Sequence, residues 1–111
     1  MTEDWICREN KLLGDKAKME LVNGDNVMVC RFLFDKEMKL APHKHVHEQI
    51  TVVLEGEMCI IYDDGDRVMK AGDVCVIPSD VEHTVHITKV PFRSMDIFSP
   101  IREDFLVASA E

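Results

Sequence analysis

The segment His43-Lys44-His45-Val46-His47-Glu48-Gln49 puts an imidazole or an amide at every second position, and His83 follows about forty residues on. Side chains on an extended strand return to the same face with a period of two. His43, His45, His47 and Gln49 therefore share one face wherever this segment is extended. A neutral imidazole is the commonest transition-metal ligand. The spacing offers two or three ligands on one strand and a fourth from a distant part of the chain. A fold that uses them must bring two well-separated strands to one point.

Period two also dominates elsewhere. Strand-like apolar runs are Val27 to Phe34, Ile50 to Leu54, Met58 to Tyr62, Val74 to Ile77, Val81 to Ile87 and Phe92 to Phe98. Their β-branched and aromatic content suits strands. Turn residues separate them: Asn23-Gly24-Asp25-Asn26, Glu55-Gly56-Glu57, Asp63-Asp64-Gly65-Asp66, Ala71-Gly72-Asp73 and Pro78-Ser79-Asp80. Short strands at steady intervals predict an all-β sandwich or barrel. Ile101 to Leu106, just after Pro100, predicts one helical turn. The acidic turn at 63–66 could be taken for a calcium loop, but it lacks the glutamate that closes an EF-hand and joins two strand-like runs, so a hairpin is the better reading. Residues 1–25 carry no chemical signal.

A chain of 111 residues fits one domain, 1–111. The net charge of −8 argues against a nucleic-acid partner, which needs a basic face. Any anionic substrate must be drawn by a local positive group. Cys7, Cys30, Cys59 and Cys75 form no Cys-x-x-Cys pair, and the last three sit in apolar runs where a free thiol packs as a small hydrophobe. No signal peptide and no membrane-length apolar run is visible. A reducing cytoplasm is the expected setting.

Two clusters carry candidate chemistry. His83 shares its strand face with Val81, Val85 and Ile87, while Thr84 and His86 point the other way. Alone, a single histidine among apolar residues reads as a buried imidazole bonded to backbone. With His43-x-His45 and the glycine-proline frames at Gly56, Gly72 and Pro78 also in the chain, metal binding is the stronger reading. His47 has the same parity but reads as solvated or as a neighbour of the ligands. Glu48 has the opposite parity and reads as solvent-facing unless a bulge brings it in. The second cluster is Asp96, Phe98 and Arg102. Asp96 and Phe98 share a face, and Arg102 follows the turn at Pro100 and can fold back over a barrel mouth. A carboxylate among apolar side chains has a raised pKa unless a cation neighbours it. These residues supply either an acid/base group with an aromatic wall and a carboxylate clamp, or a structural Asp96–Arg102 ion pair. Spacing alone leaves both open.

His43-x-His45, Gln49 and Gly56 together resemble the first cupin motif, and Gly72, Pro78 and His83 resemble the second. The resemblance implies an all-β cupin jelly roll, a small double-stranded β-helix barrel with a metal inside. Two positions depart from the pattern. Gln49 stands where cupins usually carry glutamate, and Asp80 where they carry glycine. The asparagine that often follows the second-motif histidine is also absent. Asp80 bears on a turn; Gln49 bears on the chemistry, because four neutral ligands leave a metal its full charge. The segments His43 to Ile50 and Asp96 to Leu106 are similar to the small cupins named KdgF, linked to pectin and alginate breakdown. That resemblance implies His43, His45, Gln49 and His83 as metal ligands, with Asp96, Arg102 and Phe98 acting on substrate. The implied cofactor is one divalent transition metal: nickel, zinc, iron, cobalt or manganese. The implied reaction is ring opening and ketonisation of 4,5-unsaturated uronates.

Two other readings compete. A cupin dioxygenase would consume oxygen, and a non-catalytic binding cupin would bind a small molecule without turnover. A polar site inside an apolar barrel favours an enzyme. The expected partners are a small sugar acid and a second copy of the chain, since a short barrel has edge strands to cover.

Overall fold

The computed structural model describes residues 3–8, 13 and 17–107. Eight strands follow in order: β1 (Ile6–Arg8), β2 (Ala17–Asn23), β3 (Met28–Phe34), β4 (Met38–Lys39), β5 (Glu48–Tyr62), β6 (Gly65–Lys70), β7 (Val74–Ile77) and β8 (Thr84–Ser99). One short helix, α1 (Glu103–Val107), ends the described chain. Every strand pairing is antiparallel, along the path β1-β2-β3-β8-β5-β6, with β4 on β8 and β7 on β5.

β5 and β8 run through both layers of the molecule. The first half of β5 pairs with β7 from Gln49 to Val52, and its second half pairs with β6 from Glu57 to Tyr62. β8 pairs with β4 through His86 and Ile87, then with β3 from Phe92 to Phe98. One layer is thus β7, early β5, late β8, β3, β2 and β1. The other is β6, late β5, early β8 and β4. Among the described strands this ladder is open, with β1 and β6 at its ends, rather than closed into a barrel.

The inward parity changes where the two long strands cross between layers. On β5 the buried positions are Gln49, Thr51 and Val53, then Met58 and Ile60. On β8 they are Thr84 and Ile87, then Phe92, Ser94, Asp96 and Phe98. Register shifts between Val53 and Met58 absorb the change. Gly56 stands at the crossing with φ +81°, and a Cβ there would lie 2.5 Å from the Lys89 carbonyl oxygen and 2.6 Å from that of Pro91. Only glycine lets the two backbones approach so closely in that conformation. The segment 55–57 therefore bends one long strand where its composition suggests a turn. β8 likewise runs on through 88–91, joining the apolar runs that end at Ile87 and begin at Phe92 into one strand.

Two further differences concern β2 and β6, while the hairpin at 63–66 forms as the sequence predicts. β2 lies in a segment without chemical signal, yet Met19 and Leu21 alternate into the core at 1% and 0% exposure. β6 is mostly charged and exposed, and only Met69 reaches the core. Asp63 and Asp64 form a two-residue hairpin turn, since Tyr62 pairs with Gly65.

The core lies between the layers. Met28, Cys30, Phe32 and Phe34 come from β3, Ile77 from β7, and Ile60, Ile87, Phe92 and Phe98 from the two long strands. Each such side chain contributes about 1.5–3 kcal/mol when fully buried. α1 closes one end, with Phe105 packed edge-on against Phe98 and Phe32 at ring separations of 5.6 and 6.4 Å.

Candidate metal centre

His43 and His83 face each other in an isolated antiparallel bridge. The His43 N–H donates to the His83 carbonyl at 3.0 Å, and the His83 N–H donates back at 2.9 Å. The histidine segment is not a regular strand: the chain bends at residues 46–47 and β5 begins only at Glu48. The bend keeps His43, His45 and Gln49 together and diverts His47. Asp80 holds this segment from the other side, its N–H donating to the His45 carbonyl at 2.7 Å. Asp80 has φ 61°. That left-handed conformation explains why glycine suits the position, and aspartate is one of the side chains that tolerates it.

The ring nitrogens are sorted by their backbone partners. Nδ1 of His43 lies 2.9 Å from the Ala41 carbonyl, that of His45 2.9 Å from the His47 carbonyl, and that of His83 2.9 Å from the Val81 carbonyl. A carbonyl oxygen has no proton, so each Nδ1 must be the N–H donor. In the neutral ring each Nε2 then carries a free lone pair. The ligand atoms of the three residues lie within 4.8 Å of one another. Burial pushes the His83 imidazole down to about 4, and burial, aided by the Arg102 charge, lowers that of His45. Neutral rings are the form a metal needs.

Gln49 completes the set. Its Nε2 donates to Thr51 Oγ1 at 2.9 Å and to Asp96 Oδ2 at 3.0 Å, so its Oε1 faces His45 Nε2 at 3.1 Å. Both of those facing atoms are lone-pair acceptors. Two acceptors at that distance repel unless a cation sits against both, so the donor set fits a metal ion. His43, His45, His83 and Gln49 are the residues that could hold it.

Asp96 lies beside the amide, 9% exposed, and lines the same cavity. Its Oδ1 is buried and has no hydrogen-bond partner among the described residues. Burial pushes its carboxyl up to about 7, against the opposing pull of Ser94, Thr51, Gln49 and the Arg102 charge. The cavity, about 90 Å³, is polar at this end and apolar toward Phe34, Met58, Ile60 and Phe92. At a water's liquid share of about 30 Å³ it holds roughly three waters.

Arg102 also lines the cavity, but its ion pair is with Asp104, not Asp96. Nε donates to Asp104 Oδ1 at 3.2 Å and Nη2 to Oδ2 at 2.7 Å. The guanidinium lies over the Phe105 ring at 4.0 Å and within 5.2 Å of the Phe98 ring. Phe98 stands edge-on to His45, 6.0 Å between centroids. All seven residues singled out in the sequence thus meet at one end of the molecule. His47 is half-buried 5.6 Å from the His45 ring, outside the cavity lining, and Glu48 is exposed. Sequence reasoning missed Thr51, Ser94, Asp104 and Phe105. Thr51 and Ser94 could have been found by parity, each being two residues from a named polar group.

Comparison with known proteins agrees with this geometry. Residues 31–98 match the cupin domain family, and the chain belongs to it. It is 32% identical over 96 residues to the pectin degradation protein KdgF of Dickeya dadantii (strain 3937), covering 85% of this chain and 87% of that one. The fold matches KdgF from a Halomonas species with a TM-score of 0.77 at 24% identity, over 92% of each chain. An RmlC-like cupin from Shewanella frigidimarina matches with a TM-score of 0.77 at 30% identity, over 95% of this chain and 92% of that one. Within the family, this is a KdgF-like cupin. No helix among the described residues is long and apolar enough to cross a membrane.

Proposed function

We propose that the protein is a metal-dependent cupin of uronate catabolism that opens and ketonises 4,5-unsaturated uronates. One observation carries this reading: Asp96 Oδ1, buried and without a partner among the described residues, belongs to a residue that lines one cavity with His43, Gln49 and His83, and the Gln49 amide links Asp96 to His45. The likeness to a pectin degradation protein supports the substrate class.

A divalent transition metal (nickel, zinc, iron, cobalt or manganese) on His43, His45, Gln49 and His83 would supply an undiluted positive charge to substrate oxygens. Arg102 would take the substrate carboxylate. Its Nε and Nη2 are held by Asp104, which leaves the Nη1 edge for the ligand. Phe98 would flank the sugar ring.

Asp96 would move the proton. The anomeric hydroxyl loses its proton, the bond from C1 to the ring oxygen breaks, and C1 becomes an aldehyde. The former ring oxygen stays on C5 as an enol. C4 then gains a proton as the enol hydroxyl loses one, giving the C5 ketone. The sum is an isomerisation, with no oxidant or reductant consumed. A buried carboxyl that exchanges a proton near neutral pH suits both transfers. The same reading places the protein in the cytoplasm as a homodimer; Val74 and Val76, exposed on β7, support pairing with a second copy.

The test is loss of the unsaturated-uronate ultraviolet absorbance, with metal-stripped and metal-restored protein. Acceleration over the spontaneous rate should need the metal. Asp96→Asn should lower the rate about 10²–10⁴-fold with metal still bound. Full activity in that variant would remove Asp96 from the mechanism, and no acceleration by the wild type would remove the substrate.

A further inference from the structure

We propose that Thr51 is a positioning residue for the metal: its hydroxyl holds the Gln49 amide with the oxygen, not the nitrogen, toward His45. The inference rests on the metal site described above and not on the choice of substrate. An amide is nearly symmetric in shape, and turning it by 180° exchanges its oxygen and nitrogen. The turned amide would donate an N–H to His45 Nε2, a contact that fills a lone pair needed for a cation. Something must therefore oppose the turn when no ion is bound.

The opposition comes from the far side of the amide. Its two N–H bonds have two acceptors, Thr51 Oγ1 at 2.9 Å and Asp96 Oδ2 at 3.0 Å. Thr51 is 3% exposed and sits on β5 two residues after Gln49, on the same inward face. Asp96 is directly opposite Thr51 on β8. A threonine hydroxyl carries two lone pairs beside its one proton, so it can accept from an amide whichever way that proton turns. The turned amide would lose both acceptors and set Oε1 against a carboxylate.

This arrangement also explains the amide itself. The side chain at position 49 must accept on the metal side and donate on the other. A glutamate would meet Asp96 carboxylate to carboxylate at the distance where Gln49 now donates. An amide satisfies both sides without a shared proton, and Thr51 fixes which end faces which.

Cobalt(II) titration of the metal-free protein, followed by its visible absorption and by competition with a chelator, tests this without substrate. Thr51→Val keeps the shape and removes the oxygen. It should weaken cobalt binding about 10-fold, the lower range for a partner of a ligand, and alter the absorption band. Thr51→Ser restores the hydroxyl and should bind near the wild-type level. Thr51→Ala removes the same oxygen without the valine methyl, so it gives an independent reading if Thr51→Val folds poorly. In a Gln49→Ala background, Thr51→Val should cost nothing more, because the amide it acts through is gone. A purely structural threonine would lower the unfolding midpoint alike in both backgrounds and leave cobalt affinity unchanged. Wild-type affinity in both Thr51→Val and Thr51→Ala, or an equal loss with and without Gln49, would overturn the proposal. Absence of uronate turnover would not touch it, just as a failed cobalt result would leave the substrate question open.

Discussion

The two ends of the cavity are built from the same two strands and have opposite characters. Early β5 and late β8 bring Gln49, Thr51, Ser94 and Asp96 inward, the last two between Phe92 and Phe98; late β5 and early β8 face inward with Met58, Ile60 and Ile87. One end is a set of polar groups whose hydrogen bonds dictate one another. The other is close-packed hydrocarbon. The difference teaches that the division lies in the crossing between layers, where both strands change parity at once. A strand that kept one parity throughout would carry its polar face out of the cavity in one layer or the other.

The largest effect should come from breaking that crossing. Gly56→Ala puts a methyl 2.5 Å from the Lys89 carbonyl oxygen and 2.9 Å from Phe92 Cα, at φ +81°. Neither backbone can yield without moving its layer. We expect a loss of about 4 kcal/mol or more, seen as failure to fold or a collapsed urea midpoint. A variant with near wild-type stability would show that the layers can shift relative to each other, and the close approach would not be what holds the two ends apart.

A pair of substitutions then sharpens the contrast from both sides. Ile60→Ala removes a side chain with 0% exposure from the apolar end, so it should cost about 2–5 kcal/mol and leave metal affinity near wild type. His43→Ala should do the reverse. Its ring is half-buried and bonds to an exposed carbonyl, so the metal-free protein should lose about 1 kcal/mol or less, while metal affinity falls by more than about 100-fold. Urea titration and calorimetric metal titration on both variants measure the four quantities. If Ile60→Ala also loses the metal, the two ends are one cooperative unit.

Legibility follows the same division. The polar end was visible in the sequence because its residues obey period two over short spans: His43 and His45, Gln49, and Asp96 and Phe98. What joins them was not visible. The Arg102 partner is Asp104, two residues along on α1, and parity within strands says nothing about a turn that folds back. Parity places Thr51 and Ser94 on the inward face beside Gln49 and Asp96, but it does not show what they bond to across the ladder. At the apolar end, the turn-like composition of Glu55-Gly56-Glu57 hid one continuous strand of 15 residues. Glycine marks a bend in both cases, and local composition does not distinguish a bend that reverses the chain from one that only changes its face. Met19 and Leu21 hid for another reason: two apolar residues among charged ones are too few to announce a strand.

The smallest expected effect concerns a residue that sits at the chemical end yet belongs to the packing. Cys30 is 0% exposed, and on β3 it lies directly opposite Asp96. Burial, with Asp96 adding to it, pushes its thiol from an ordinary 9.0 up to about 12. The unfolded chain gives up this proton near pH 9 while the folded chain keeps it. The stabilisation is therefore complete below pH 9 and is lost as the pH rises toward 12. The slope from one such group is at most about 1.4 kcal/mol per pH unit. Cys75 and Tyr62 are also shifted upward by burial and add slopes of the same sign, so the wild type alone cannot isolate Cys30. Cys30→Ala can: it loses some packing at every pH, but its urea midpoint should decline less between pH 8 and pH 10. Thiol reagents at pH 8 should label exposed Cys7 in the folded protein and reach Cys30 only on unfolding. Equal declines in the two proteins, or rapid labelling of Cys30 in the native state, would mean that the wall behind Asp96 is open to water, and the boundary between packing and chemistry would have to be redrawn on that side.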